Sequence, residues 1–341
     1  MNNKLEFSFT KLFLVVIILI IFNFDKFWAG SIDMVHHYNL IFKISKNLSH
    51  LFSQDFRDIT LGEMNVYPNL THKIVSVLNI VFFSSPFLAM HFFSLLIFGL
   101  FYLSFVYFFS LFNKDFSFFF ILFFIILIIF NHIVFKFDLI GSEIKGHYFL
   151  TQFFGQFLIF SSLLFCNYYD KIKQKFFIYF FLFVNFFVLT YIHLWSSIIA
   201  LGVFVLSIFI NKFLEVKKIK EIFNIKFLIL LVIVSGLSVL SLVLRPIFNQ
   251  NKWGVLHEGH LELTNLSFAF GLPMLGFLVL LISTYIFFFL RNINNKNEYS
   301  PIKYMAIFGF ATSFLFFIQL ILNKLGLASE YSCKKFGFNL M

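Results

Sequence analysis

The sequence predicts an all-α integral membrane protein, and three observations lead to that fold class. Hydrophobic residues make up 60% of the 341 positions, and only 12% are charged. A soluble protein carries about 25% charged residues, so this chain lacks the charge to cover a water-exposed surface. Apolar runs of about 20 residues recur along the whole sequence, as membrane helices require, and polar breaks separate them. We expect a polytopic protein with about nine spanning helices.

The elements are predicted in chain order, within a single domain over residues 1–341. Residues 8–28 form a retained first helix, because the region that follows is too bulky and charged for signal-peptide cleavage. A polar external segment covers residues 31–72, and the run at 72–87 is too short to span. The later runs predict a tight helix pair inside 176–211 and single helices at 87–112, 116–135, 148–166, 227–244, 266–290 and 304–322.

The basic residues are shared unevenly between the polar breaks. With the amino terminus in the cytoplasm, the cytoplasmic segments hold 14 Lys and Arg against 6 acidic residues. The external segments are longer, yet they hold only 12 Lys and Arg against 10 acidic residues. This is the positive-inside pattern of membrane proteins. The net charge of +10 then belongs to the topology, so no nucleic-acid partner is predicted.

The external segment is predicted to contain an amphipathic helix that lies on the membrane. Its apolar residues recur at spacings of three and four, which places them on one face of a helix. They are Met34, Tyr38, Ile41, Phe42, Ile44 and Leu48. An interfacial helix of this kind would lie beside the headgroups of membrane lipids.

The same segment places Asp33, His36 and His37 within five positions of one another. On a helix, Asp33 and His37 lie one turn apart on the same face. A carboxylate held by an imidazole can act as a general base on a hydroxyl group, or help to bind a divalent ion. A short polar group before an apolar run is also typical of a helix start, where Asp is a common cap. Both interpretations are open at this point.

Two later stretches carry polar residues beside apolar runs. Tyr67 and His72 flank the start of the short helix and are expected at the membrane surface. Glu143 precedes the run that begins at 148, and Gln152 and Gln156 then lie on one face of that helix. Buried polar groups inside a membrane face either a cavity or another helix. The two glutamines are therefore candidates both for substrate contact and for helix packing.

One stretch resembles a zinc motif. The sequence HEGHLE (257–262) has its histidines three positions apart, whereas HExxH requires four, and it lies in a predicted loop. No metal site is predicted from the residues, and the cofactor is unknown, with a divalent cation as one option.

Taken together, these stretches resemble the GT-C glycosyltransferases of bacteria, which are multi-spanning enzymes that use polyprenyl-phosphate sugars. The likeness is carried by Asp33 and His37 after a first helix, and by the Tyr67-Pro68 pair with His72 at the start of a short helix. It continues in GHYFLTQFFGQF (146–157), YIHLWS (191–196) and SEYSCKKFGF (329–338). The family more often has a second Pro where this chain has Asn69.

The resemblance implies a sugar transfer from a polyprenyl-phosphate carrier to a cell-envelope glycan, lipid or protein on the external face of the bacterial inner membrane. It implies an external Asp as the catalytic base, here Asp33, and often a second external acid, for which Glu143 or Asp138 is available. Arg245 and Lys334 are candidate partners of the phosphate. The remaining candidates for substrate binding are His36, His37, Tyr67, His72, Gln152 and Tyr331. Family members generally continue with further spans, so a shortened member is expected.

Two other functions fit a polytopic chain. An O-antigen or capsule polymerase would favour an Arg-rich external loop late in the chain, and residues 245–265 hold a single Arg. A transporter or flippase would favour ionisable residues at mid-membrane and two related halves. The predicted acidic residues cluster at external helix ends instead, and no repeat is visible.

Overall fold

The computed structural model describes residues 32–53, 61, 64–65, 67–82, 85–111, 148–216, 225–244, 272–293, 299–328, 330–337 and 339–340. All regular structure in these ranges is helical, which confirms the predicted all-α fold class. The α-helices are α1 (Ile32–Lys46), α2 (Leu70–Phe82), α3 (Pro86–Ser110), α4 (Leu150–Lys171), α5 (Lys175–Leu189), α6 (Leu194–Glu215), α7 (Ile225–Val243), α8 (Leu272–Asn292), α9 (Ser300–Lys324) and α10 (Glu330–Gly337).

Within these ranges, five helices are long and apolar enough to cross a membrane. They are α4, α6, α8, α9 and the Pro86–Phe105 part of α3. The chain is therefore a multi-pass membrane protein, as predicted. The helices predicted at 8–28 and 116–135 lie outside the described residues, so the total of about nine spans stays a prediction.

The short helix and the helix pair both form. Helix α2 has 13 residues and extends for about 20 Å at 1.5 Å per residue, which is less than the hydrocarbon core. Helices α5 and α6 are separated by a bend at residues 190–193. His193 caps α6, because its Nδ1 accepts the backbone N–H of Ser196 at 3.3 Å.

Helix α1 forms inside the external segment, and part of the predicted apolar face, Ile41 and Ile44, is buried within the protein. The buried side chains are His37, Leu40, Ile41 and Ile44, which follow the helical period. Leu40 and Ile44 pack against the loop residues Leu61 and Met64. Phe42 and Leu48 were predicted on the apolar face, yet their side chains are 39% and 58% exposed. The location of α1 on a membrane surface stays a prediction.

The chain packs as two compact units, Met1–Ser161 and Ser162–Met341, and a single domain over residues 1–341 stays a prediction. In the first unit, α1 and α2 lie side by side and run in the same direction. His37 contacts His72, and one turn further along the Ser76 hydroxyl donates to the Ile41 carbonyl at 3.2 Å. Both pairs are 35 residues apart in the sequence, so the two helices keep the same register.

Helix α3 also runs in the same direction as the part of α4 that belongs to the first unit. Contacts between the two helices advance together along both chains. Ser94 contacts Tyr148 just before α4, Phe98 then packs on Phe153, and Phe105 stacks on Phe160 with ring centroids 4.2 Å apart. The amino-terminal ends of α3 and α4 therefore lie at the same end of this unit.

In the second unit, α6 and α9 run antiparallel. Asn211 near the end of α6 contacts Lys303 near the start of α9. Gly202, further back in α6, lies against Ala311 and Leu315 of α9. A Cβ at Gly202 would come 3.2 Å from the Leu315 side chain, so the missing side chain allows this close approach.

Candidate functional site

A group of polar side chains lies in the first unit, where α1, α2 and α3 pack together and α4 begins. We call it the polar cluster, and its members contact one another by hydrogen bonds or by ring packing. They are His37, Tyr67, His72, Ser94, Tyr148 and Thr151. The sequence brings them from four separate segments, so their convergence is a property of the fold.

The centre of the polar cluster is a pair of histidines. His37 Nδ1 lies 2.7 Å from His72 Nε2, and the rings stack with centroids 4.9 Å apart. His37 is 5% exposed and His72 is fully buried. At this distance, one imidazole donates its N–H to the lone pair of the other. Burial, followed by the neighbouring His37, lowers the pKa of His72 well below the usual value, so His72 is neutral at neutral pH.

Tyr67 connects the histidine pair to α4. Its hydroxyl and the Thr151 Oγ1 lie 3.0 Å apart, and its ring packs edge-on against both histidines. Burial raises the pKa of Tyr67, the hydrogen bond to Thr151 acts in the opposite direction, and the charge of Asp33 raises the pKa further. Tyr67 therefore stays a neutral phenol, and Asp33 is close enough for its charge to act on that phenol.

Asp33 stands at the edge of the polar cluster, in the first turn of α1. It is half-buried, whereas His37 one turn later is buried. His36 is exposed and lies outside the cluster. A carboxylate in a first turn also stabilises a helix by about 0.3–1 kcal/mol through the helix dipole. Asp33 is thus inside the helix rather than the residue that caps it.

Tyr148 holds an unusual backbone conformation beside the histidine pair. Its φ angle is 56°, in the left-handed region, which costs about 1–2 kcal/mol for a residue with a side chain. The conformation positions its hydroxyl 3.2 Å from the Ser94 Oγ and its ring 6.0 Å from the His37 ring. Backbone strain of this kind clusters at functional sites and also occurs in turns, as at Lys173 (φ 60°) between α4 and α5.

Three buried polar atoms at the start of α2 have no hydrogen-bond partner in the part of the chain that the structure describes. They are the Asn69 Nδ2, the Thr71 Oγ1 and the His72 Nδ1. Asn69 is 3% exposed, and Thr71 and His72 are fully buried. An unpaired buried polar group costs about 1–3 kcal/mol, so three of them within four positions call for a binding partner.

The other predicted site residues have different positions. Gln152 is fully buried in α4, next to Thr151. Glu143 and Arg245 lie outside the described residues, and so do the side chains of Tyr331 and Lys334 on α10. Among the described residues, no group of three His, Cys, Asp or Glu is arranged to hold a metal ion.

Several members of the polar cluster had no individual signal in the sequence. Ser94, Tyr148 and Thr151 are isolated polar residues within or beside apolar runs, and many such residues only pack against a neighbouring helix. Thr151 could have been found as the neighbour of Gln152, which the sequence analysis selected.

The second unit holds a separate polar network that contains charges. Lys303 Nζ lies 2.6 Å from Asp170 Oδ2 and donates to the Asn211 Oδ1 at 3.0 Å. Ser300 donates to the same Asp170 oxygen at 2.8 Å. The Asn211 amide donates to the Tyr179 hydroxyl at 3.3 Å. The network ties together the ends of four helices, α4, α5, α6 and α9.

Comparison with known proteins identifies no relative. No family profile, no curated protein and no solved structure matches the chain. The function must therefore be argued from the residues of the site.

Proposed function

We propose that the chain is a membrane glycosyltransferase of the GT-C type, which transfers a sugar from a polyprenyl-phosphate carrier to a cell-envelope acceptor. One observation carries the proposal. Asp33 with His37, Tyr67 with His72, and the segment that contains Gln152 were selected separately in the sequence. In the fold, the first two segments meet, and Tyr67 bonds to Thr151 beside Gln152.

The level of the polar cluster supports this proposal. Thr151 is in the first turn of α4, a candidate span of 22 residues. Such a helix is about 33 Å long, close to the thickness of the hydrocarbon core, so its first turn lies near one membrane face. The sugar phosphate of a lipid carrier is held at this level by its lipid chain. The short α2 helix, which cannot span, lies beside it.

In the proposed reaction, the half-buried Asp33 carboxylate takes the proton from the acceptor hydroxyl. The acceptor oxygen then forms a bond to the anomeric carbon of the sugar, and the bond from that carbon to the phosphate oxygen breaks. The electron pair of the broken bond leaves with the polyprenyl phosphate. Arg245 and Lys334 are the proposed cations for the departing phosphate, and a divalent ion is a further option.

The proposed location is the bacterial inner membrane, with the amino terminus in the cytoplasm and the polar cluster outside. The parallel arrangement of α3 and α4 supports one part of this topology. Both helices run in the same direction, which agrees with the predicted span at 116–135, a stretch that lies outside the described residues.

The polymerase and the transporter stay as alternatives without a specific observation in their favour. Lys303 is buried and Asp170 is largely buried, and both ionisable residues lie within candidate spans, as a transporter would need. They lie at the helix ends rather than at mid-membrane, and each is bonded to partners in the same network.

The substitution Asp33→Asn tests the proposal. Asn keeps the size of the side chain and removes the base, so we expect a loss of about 10²- to 10⁴-fold in transfer rate. The expected loss of stability is only about 0.3–1 kcal/mol, from the first turn of α1. The measurement is glycan product in membranes with equal amounts of protein, and Asp55→Asn is the control from the same external segment. Near-normal product from Asp33→Asn would remove Asp33 as the base.

A further inference from the structure

We infer that Asn69, Thr71 and His72 form the subsite that binds hydroxyl groups of the transferred sugar. The inference rests on the proposed function for its choice of ligand. It assigns recognition to residues at the start of α2, of which only His72 was a candidate from the sequence. The polar atoms without partners on these three side chains provide the binding groups.

The chemistry of the three groups favours a hydroxyl-bearing ligand. The Asn69 amide nitrogen donates, and the Thr71 hydroxyl both donates and accepts. If His37 Nδ1–H donates the hydrogen bond to His72 Nε2, the proton of neutral His72 is on Nδ1, which then donates. If His72 Nε2–H is the donor instead, its Nδ1 accepts. A sugar hydroxyl can donate and accept, so it satisfies all three groups in either tautomer. A phosphate group, which mainly accepts, satisfies His72 in only one of them.

The charge around the subsite points the same way. His72 and Tyr67 are neutral, and the carboxylate of Asp33 acts on Tyr67 at the edge of the subsite. A negative group at this edge repels a phosphate and leaves a neutral ligand unaffected. This edge of the subsite therefore favours the sugar ring over the phosphate of the carrier.

Aromatic rings beside the subsite favour a sugar over a trapped water molecule as its ligand. The ring of Tyr67 lies 6.0 Å from the ring of His72, and Tyr148 flanks His37 in a strained backbone conformation. Rings of this kind can pack against the apolar C–H face of a sugar while the hydroxyls meet polar groups at its edge. A water molecule would only form hydrogen bonds with the polar groups. The half-buried Asp33 and Tyr67 lie at the edge where a ligand would enter.

The first experiment uses the full-length protein in detergent micelles and measures its thermal unfolding midpoint. The probes are the methyl glycosides of glucose, galactose, mannose and N-acetylglucosamine, with sodium phosphate as a separate arm. We expect at least one glycoside to raise the midpoint of the wild type by about 2–4 °C at saturating concentration. The substitution Thr71→Val should abolish this rise. A rise with phosphate alone, or with none of the probes, would overturn the inference.

The matched control is Thr190→Val in the second unit. Thr190 is equally buried, at 2% exposure, but its hydroxyl is satisfied by the Phe187 carbonyl at 2.7 Å. Without ligand, Thr71→Val should leave the midpoint unchanged or raise it, because it removes an unpaired polar group. Thr190→Val should lower the midpoint and keep the response to the glycoside. If Thr71→Val lowers the midpoint as Thr190→Val does, Thr71 has a structural partner and the subsite is wrong.

The two proposals fail separately. If a glycoside binds through Thr71 while Asp33→Asn keeps normal transfer, the sugar subsite stands and Asp33 is not the base. If Asp33→Asn abolishes transfer while Thr71→Val transfers the same sugar normally and no glycoside binds, the enzyme stands and the subsite is wrong.

Discussion

The two buried polar regions of this membrane protein differ in how well their groups are satisfied. The network in the second unit contains a full ion pair, Asp170 with Lys303, and these charges bond to each other and to Ser300 and Asn211. In the polar cluster of the first unit, burial keeps His72 and Tyr67 neutral. Even so, His72 and the neighbouring Thr71 each keep a buried atom without a hydrogen-bond partner in the described part of the chain. The satisfied network ties the ends of four helices together. The unsatisfied atoms beside the polar cluster are the reason why we propose the binding site there.

The largest effect should come from breaking the satisfied network. Lys303→Met leaves Asp170 buried without its cation, which should cost about 3–5 kcal/mol in the free energy of unfolding. The measurement is the rate at which a thiol dye reaches Cys166 and Cys333 on heating, since both are buried in this unit.

The control for this prediction is the exposed ion pair between Lys175 and Glu215, whose side chains are 50% and 47% exposed. Lys175→Met should cost only about 0–1 kcal/mol. The double variant Asp170→Asn with Lys303→Met should recover part of the loss, because no buried charge is left alone. Equal effects of the two lysine substitutions would show that the ion pair of Asp170 and Lys303 does not stabilise the second unit.

A smaller effect is expected from the histidine pair. His37→Leu leaves the buried Nε2 of His72 without a partner and should cost about 1–3 kcal/mol. Its sequence neighbour His36 is exposed, so His36→Leu should stay within about 0.5 kcal/mol of the wild type. The reporter is Val75→Cys, a buried position of the first unit, in a chain without the native cysteines.

The double variant His37→Leu with His72→Leu sharpens this comparison. Since both polar partners are then replaced, most of the stability should return. A double variant that loses the sum of the two single effects would mean that each histidine has its own independent structural role.

The smallest effect is a pH dependence confined to the first unit. The folded state lowers the pKa of His72, so the unfolded chain binds the proton first as the pH falls through about 6.5. Stability should fall by about 1 kcal/mol between pH 6.5 and pH 5.5. The Val75→Cys reporter should detect this loss, and the His37→Leu/His72→Leu variant should not show it. A loss of equal size in the double variant would assign the pH dependence to another group.

Local patterns in the sequence predicted much of this fold. Spans such as α3 and α4 were visible because an apolar run must reach across the membrane. The proximity of Asp33 and His37 followed from the helical period alone. The apolar spacing of α1 does not tell which residues meet the protein and which meet lipid: Ile41 and Ile44 are buried in the protein, whereas Phe42 is exposed.

Contacts between distant segments could not be predicted in this way. Lys303 and Asp170 are 133 residues apart, and their opposite charges were only two among many. The bond from Tyr67 to Thr151 needs the positions of α2 and α4, which no local period specifies. Of the polar cluster, His37, Tyr67 and His72 were therefore found as individual residues, whereas Ser94, Tyr148, Thr151 and the assembly of the cluster were not.

The order of the contacts along the chain has a consequence for biogenesis. His37 and His72 are separated by 35 residues, whereas Tyr67 must wait for Thr151, which is 84 residues further along. At a synthesis rate of about 5–20 residues per second, that wait lasts about 4 to 17 s. During insertion, the hydrogen bond between His37 and His72 can therefore form before Thr151 of α4 has been synthesised. A nascent chain stalled before residue 148 would contain His37, Tyr67 and His72 but would lack Thr151, the hydrogen-bond partner of Tyr67.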